Sequence, residues 1–227
     1  MRYTTLIFDL DHTLFDFDAS VDAAFTATLV RAGVVGSNGH RATFAEINTS
    51  LWKRVERGEL TPDQVGTMRF ERLVEQIGVG ADPHAMAADY VAGLGANGDL
   101  YPGARELLDE LAPHATMALL SNGIGKVARA KVARLDLDRY FDAIVVSGEV
   151  GVAKPHGAIF DIVFERLGHP DKATTLMIGD SLTSDVRGGA GYGIDTCWYA
   201  PEAPAGAASD ATYRVTRLEE IPAVVAG

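Results

Sequence analysis

Short apolar, β-branched runs alternate with helical patterns along most of this chain, and that alternation restricts its fold more than any other feature. Residues 3–8 (YTTLIF) read as a buried central strand and stop at Asp9, where the pattern turns acidic. Runs of the same kind follow at Thr116–Leu120, Ala143–Val146, Thr174–Ile178 and Asp195–Tyr199, with Thr212–Thr216 a weaker sixth. Helical patterns at Ile124–Leu135, Ala158–Leu167 and Leu182–Ala190 lie between them. Strands alternating with helices predict an α/β fold with a parallel, doubly wound sheet. Right-handed crossovers then gather the strand C-terminal ends on one edge, where such sheets bind ligands.

The region from Phe17 to Gly95 breaks this rhythm. It holds four helical stretches, at about 20–32, 41–57, 62–77 and 83–94, and no convincing strand. Gly33, Gly58, Gly78 and Gly95 follow them, where glycine relieves the left-handed strain of a helix end. Thr61-Pro62-Asp63-Gln64 carries an N-cap hydroxyl, a proline at the first helical position and a reciprocal side chain at N3. Asp82-Pro83 opens the fourth stretch in a similar way, and Tyr101-Pro102-Gly103 marks the return to the core. The expected organisation is a Rossmann-like catalytic core formed by residues 1–16 and 96–227, with a four-helix cap domain, residues 17–95, inserted after the first strand. The Ala/Pro/Gly-rich segment 200–209 reads as a surface loop.

Composition removes several functional classes. A net charge of −11 disfavours a nucleic-acid backbone binder. One cysteine, Cys197, excludes an internal disulfide framework and Cys-rich metal sites, and its place on a predicted strand beside Trp198 suits core packing. No apolar run reaches the roughly 18 residues of a membrane helix. Asp9 and Asp11 interrupt the one apolar stretch near the N-terminus, so a signal peptide is not expected and the reading is a cytoplasmic protein.

The acidic residues stand at strand ends. Asp9 and Asp11 close the first strand in Asp9-Leu10-Asp11-His12-Thr13, and residues i and i+2 begin on the same side of a strand. Asp180 closes the fourth core strand, with Asp185 one helical turn further on. Neighbouring carboxylates repel unless a cation or a proton intervenes. In a parallel sheet all four converge on one edge, an oxygen-ligand site suited to a hard cation such as Mg²⁺. Ser121-Asn122-Gly123, after the second core strand, offers a hydroxyl and backbone N–H groups at a helix N-terminus, which form an anion cradle. Lys154 follows the third core strand, where its charge can neutralise a bound phosphate.

Asp9-x-Asp11-x-Thr13, Ser121, Lys154 and Gly179-Asp180-x-x-x-x-Asp185 occur in the order and context of the four motifs of the haloacid dehalogenase superfamily, which the chain resembles over its whole length, the helical insert included. True dehalogenases lack the second aspartate, whereas phosphatases keep it, so Asp11 points to a phosphatase. Glu149-Val150-Gly151-Val152-Ala153-Lys154-Pro155, the stretch Gly179–Asp185 and Gly193-Ile194-Asp195-Thr196-Cys197-Trp198 resemble the bacterial pyrimidine 5′-nucleotidase group. The resemblance implies that Asp9 is the nucleophile, forming an aspartyl-phosphate that water hydrolyses. It implies that Asp11 is general acid and then base, which requires its pKa to rise, and that its backbone carbonyl reaches the metal. Asp9, Asp11, Asp180 and Asp185 form the implied Mg²⁺ set, with Asp185 binding either directly or through water. Ser121, Asn122, Gly123 and Lys154 hold the phosphate.

Other residues receive plainer roles. Thr13 stabilises its loop by hydrogen bonding, and His12 is a spectator. Trp52, Phe44 and Phe70 read as cap core rather than as a base-stacking platform. Phe15 or Phe17, on the hinge into the cap, is the preferred stacking partner for a nucleobase. The expected substrate is a small phosphorylated metabolite, a nucleoside monophosphate first, with phosphoglycolate or a sugar phosphate as the rival. A phospho-aspartate signalling module also uses Mg²⁺, an aspartate and a lysine, but such modules are about half this length and lack the insert and the second aspartate. Neither a nucleic acid nor a membrane is expected as partner, and the chain is expected to be a monomer or a homodimer.

Overall fold

The computed structural model describes residues 1–36, 38–204 and 206–227. Ser37 in the cap and Ala205 in the segment 200–209 lie outside the described residues; the rest of that segment is largely exposed turn and coil. Six parallel strands form one sheet: β1 (Thr5–Phe8), β2 (Thr116–Ser121), β3 (Ala143–Val146), β4 (Thr175–Gly179), β5 (Asp195–Tyr199) and β6 (Tyr213–Val215), in the order β3-β2-β1-β4-β5-β6. Between β1 and β2 run α1 (Phe17–Arg31), α2 (Asn38–Glu56), α3 (Pro62–Ile77) and α4 (Pro83–Ala96), which form the cap, and then α5 (Ala104–Leu111). The later helices are α6 (Gly125–Arg134), α7 (Ser147–Val150), α8 (Gly157–Arg166), α9 (Arg187–Tyr192) and α10 (Ile221–Ala226). No helix among the described residues is long and apolar enough to cross a membrane.

The apolar runs are continuous because both sheet faces are covered. Side chains alternate along a strand, so Leu6, Phe8, Met117, Leu119, Leu176 and Ile178 enter one core, together with residues of α5, α6 and α10. Ile7, Ala118, Leu120 and Met177 enter the other, against Ile159, Phe160, Val163 and Phe164 of α8. Register brings Ile7 level with Ala118 on one side and Met177 on the other. The strand order reverses at β1 and β4, so a crevice opens beyond their C-terminal ends. Cys197 is fully buried in the first of these cores.

The cap has its own apolar centre, where α1 packs on α4 and α3 on both α2 and α4. Helix α3 begins with a complete capping box: Gln64 N–H donates to Thr61 Oγ1 and Thr61 N–H donates to Gln64 Oε1. It ends at Gly78, whose φ of 68° is left-handed, and Gly33 and Gly58 follow their helices in the same region. Gly95 does not end a helix. It lies inside α4, buried, where a Cβ would come within 2.8 Å of the Ala130 Cβ on α6, so its smallness serves close helix packing instead. Two adjacent linkers join cap to core: Asp16 N–H donates to Asp99 O and Tyr101 N–H donates to Leu14 O.

Three helices escape the periodicity reading, α5, α7 and α10, and the stretch 182–190 is not one helix. It starts as a π-helical turn, Leu182–Val186, before α9 continues from Arg187.

Candidate active site

Asp9 leaves the end of β1 with its N–H bonded to Ile178 O of β4, which sets its carboxylate at the switch point. Gly179 ends β4 against the carboxylate of Asp185: a Cβ there would stand 2.3 Å from Asp185 Cγ, so a glycine is needed for this approach. The π-helical turn presents Asp185, and Ser181 N–H donates to Asp185 Oδ2 at 3.0 Å. Lys154 is held at its backbone by Asn122, which accepts from Lys154 N–H at Oδ1 and donates from Nδ2 to Lys154 O, both at 2.8 Å. Its ammonium donates to Asp9 Oδ1 and to Leu120 O, each at 2.6 Å. It also stands 2.8 Å from Asp185 Oδ1 in an ionic contact outside hydrogen-bond alignment, so that buried oxygen makes no hydrogen bond among the described residues. Thr13, fully buried, donates from Oγ1 to Asp9 Oδ2 at 3.3 Å.

Burial pushes the Asp9 carboxyl up to about 8; the Lys154 ammonium opposes this and Asp185 and Asp180 add to it. Asp180 is pushed up to about 7, by burial first and then by Asp185. Burial works against the charge on Lys154, but Asp185 and Asp9 outweigh it and hold its pKa above the ordinary lysine value. One oxygen from each of Asp9, Asp180 and Asp185 lies within 4.8 Å of the others, and the Lys154 ammonium pairs with two of these carboxylates, Asp9 and Asp185. The donor set is all oxygen, it retains excess negative charge, and the buried Asp185 Oδ1 has only the Lys154 ammonium against it among the described residues. It therefore fits a hard divalent cation.

Asp9, Asp11, Asp180, Asp185, Lys154, Asn122 and Gly123 line one cavity of about 650 Å³ that also reaches cap residues on α2 and α3. The side chains do not converge as fully as the four-carboxylate expectation held. The chain reverses after β1 through His12, with φ of 65°, and the carboxylate of Asp11 turns to Lys131, 2.6 Å from Oδ1, rather than joining the other three. Ser121 is 1% exposed, Gly123 N–H donates to Ser147 Oγ at 3.0 Å, and Gly123 O accepts from Gly148 N–H at 3.0 Å. In this conformation the anion cradle expected at Ser121-Asn122-Gly123 is thus partly used by the protein itself. Phe15 is fully buried in the sheet core and cannot stack on a ligand; Phe17 lines the cavity, packed between His12 and Lys131. Phe44 and Phe70 are buried in the cap core, whereas Trp52 both packs on that core and lines the cavity.

Lys131 escaped the sequence reading. It is fully buried on α6, its ammonium 4.2 and 4.5 Å from the ring centroids of Phe15 and Phe17. A signal was present: it shares the apolar stripe Val127, Ala128, Val132, where a lysine is out of pattern. Ser147 carried no comparable mark.

The sequence model of the haloacid dehalogenase-like hydrolases matches residues 3–193. Pyrimidine 5′-nucleotidase PynA of Streptococcus pneumoniae is 35% identical over 202 residues, 88% of this chain and 85% of the relative. Pyrimidine 5′-nucleotidase YjjG of Escherichia coli is 32% identical over 224 residues, 97% of each chain. A solved structure of YfnB from Bacillus subtilis, bound to magnesium, aligns with a TM-score of 0.93 at 32% identity and covers 100% of both chains.

Proposed function

The chain belongs to the haloacid dehalogenase-like hydrolases, and from that premise we propose that it is a Mg²⁺-dependent phosphomonoester hydrolase acting on pyrimidine nucleoside monophosphates. The observation that carries this reading is Asp9 clustered with Asp180 and Asp185, with Lys154 bridging Asp9 and Asp185, on a cavity large enough for a nucleotide. The 35% and 32% identity to two proteins named as pyrimidine 5′-nucleotidases supports the substrate class.

A carboxylate oxygen of Asp9 attacks phosphorus in line, the bond from phosphorus to the ester oxygen breaks, and Asp11 gives its proton to the leaving alkoxide. Water then attacks the aspartyl-phosphate, Asp11 takes the proton back, and Asp9 and inorganic phosphate are released. Asp11 must leave Lys131 to serve in these steps. Lys154 opposes the repulsion between Asp9 and the incoming phosphate, and Thr13 orients the nucleophile. Asp9, Asp180 and Asp185 would hold Mg²⁺, with the Asp11 carbonyl as a further ligand, and when bound the ion supplies positive charge that keeps Asp9 ionised and screens the phosphate. Ser121, Asn122 and Gly123 take the phosphate oxygens once the Gly123 N–H is freed from Ser147. The cap, residues 17–95, closes over the core of residues 1–16 and 96–227; Thr183 Oγ1 donates across this boundary to Glu56 Oε1 at 3.2 Å.

The test is phosphate release near neutral pH with Mg²⁺ from UMP, dUMP, dTMP, a purine monophosphate, phosphoglycolate and sugar phosphates. Pyrimidine monophosphates are expected to lead, and Asp9→Asn or EDTA to abolish turnover. Preference for phosphoglycolate or a sugar phosphate would replace the substrate class and keep the chemistry. Turnover surviving Asp9→Asn would overturn the mechanism.

A further inference from the structure

The cap buries a cation that has no carboxylate partner among the described residues. Arg69 sits on the apolar stripe of α3 with Val65, Phe70 and Leu73 and is 1% exposed. Its guanidinium stands 4.4 Å from the Tyr90 ring centroid, with Phe44 and Phe70 near 6 Å. Nη1 donates to Asn48 Oδ1 at 3.2 Å, while Nε and Nη2 are buried and make no hydrogen bond among the described residues. Such donors are costly to bury unless something completes them. Burial brings the pKa of Arg69 down to about 10, which leaves it charged at neutral pH.

Arg69 and Asn48 both line the cavity that contains Asp9 and Asp180. A guanidinium only donates, and Asn48 spends its Oδ1 on Nη1, so the amide has N–H groups left to offer. This part of the wall is therefore rich in donors. Its complement is a planar group carrying carbonyl oxygen. Every pyrimidine base carries such an oxygen at O2, whereas adenine offers only ring-nitrogen acceptors.

We propose that Arg69, together with Asn48, binds the base of the substrate by donating to a ring oxo group, the O2 shared by uracil, thymine and cytosine. This rests on the nucleotidase reading and assigns its specificity to named cap residues. The aromatic rings hold the guanidinium in place, and the ligand oxygen supplies the acceptor that the folded chain omits. Substrate binding thus relieves a buried defect, which couples recognition of the base to closure of the cap.

The experiment compares kcat/KM for UMP and for ribose 5-phosphate, which has no base, in the full chain and in Arg69→Met, Arg69→Lys and Asn48→Asp. The ratio of UMP to ribose 5-phosphate is expected to fall tenfold or more in Arg69→Met, and Arg69→Lys to restore little of it, since one ammonium cannot replace the planar fork. Asn48→Asp gives Arg69 a carboxylate partner. Its Tm is expected to rise while its ratio falls, opposite signs that a purely structural arginine would not produce. A folded Arg69→Met, or an Asn48→Asp of raised Tm, that keeps the parent ratio would overturn the assignment alone. If Arg69→Met does not fold, Asn48→Asp decides. A parent protein with no preference for UMP over ribose 5-phosphate would overturn the nucleotidase reading, and this inference with it.

Discussion

Asp11 and Lys131 form an ion pair with unequal halves. Lys131 is fully buried, while the Asp11 side chain is 24% exposed and faces the cavity. Removing the carboxylate strands an ammonium in the interior; removing the lysine leaves a carboxylate that water can reach. Asp11→Ala is therefore expected to cost about 3–5 kcal/mol of stability, toward the lower end because Phe15 and Phe17 still flank the charge. Lys131→Met, which keeps the volume between those rings, is expected to cost about 1 kcal/mol or less. Urea denaturation of both variants checks this, and a larger loss in Lys131→Met would reverse the roles assigned to the pair. The aspartate was legible because it ends an apolar run. The lysine was legible only as an exception on a helix stripe, and nothing local says which carboxylate it meets.

At the scale of elements, the β4 terminus and the π-helical turn act as one device. Gly179 allows the turn to fold back so that Asp185 packs on the strand end. Gly179→Ala must displace that carboxylate, so Mg²⁺ affinity, read by titration of metal-dependent phosphate release, is expected to fall on the order of 10–100-fold. In the cap, Thr61→Ala removes one half of the box that starts α3 and is expected to cost about 1 kcal/mol in urea denaturation. The box was readable because its residues are three apart in sequence. The π-helical turn was not, since its extra residue follows from where Asp185 has to point. Helix α5, with Leu107, Leu108 and Leu111 on one buried face, did carry a helical period.

For the molecule as a whole, the acidic centre ties stability to pH. Asp9 and Asp180, raised to about 8 and about 7, keep protons in the folded state that the unfolded chain would already have lost. The stability this represents is complete below the ordinary aspartate value near 3.8 and is lost as pH rises through 7 and 8. The Tm of the metal-free protein is thus expected to fall between about pH 6 and 8 through these groups. A divalent cation has to displace those protons, so the rise in Tm on adding Mg²⁺ should be larger near pH 8 than near pH 6. Thermal unfolding with Mg²⁺ or with EDTA at both values measures this. A metal increment independent of pH would contradict it.

Local pattern determined the strand runs, the helical insert and the residues that end strands, because side-chain period, capping and strand termination depend on neighbours a few positions apart. It therefore placed Asp9 and Asp180 at strand ends and Lys154 in the segment that follows the third strand. Tertiary structure alone decided the strand order, which sets Asp9 beside Asp180 across β1 and β4. It also decided that Asp11 turns to Lys131, that Phe15 lies in the core, and that Arg69 is buried with donors unmet. Those outcomes depend on sheet register and on the rotation of helices against their neighbours. Contacts between residues 120 or 145 positions apart, Asp11 with Lys131 and Asp9 with Lys154, leave no trace in local periodicity.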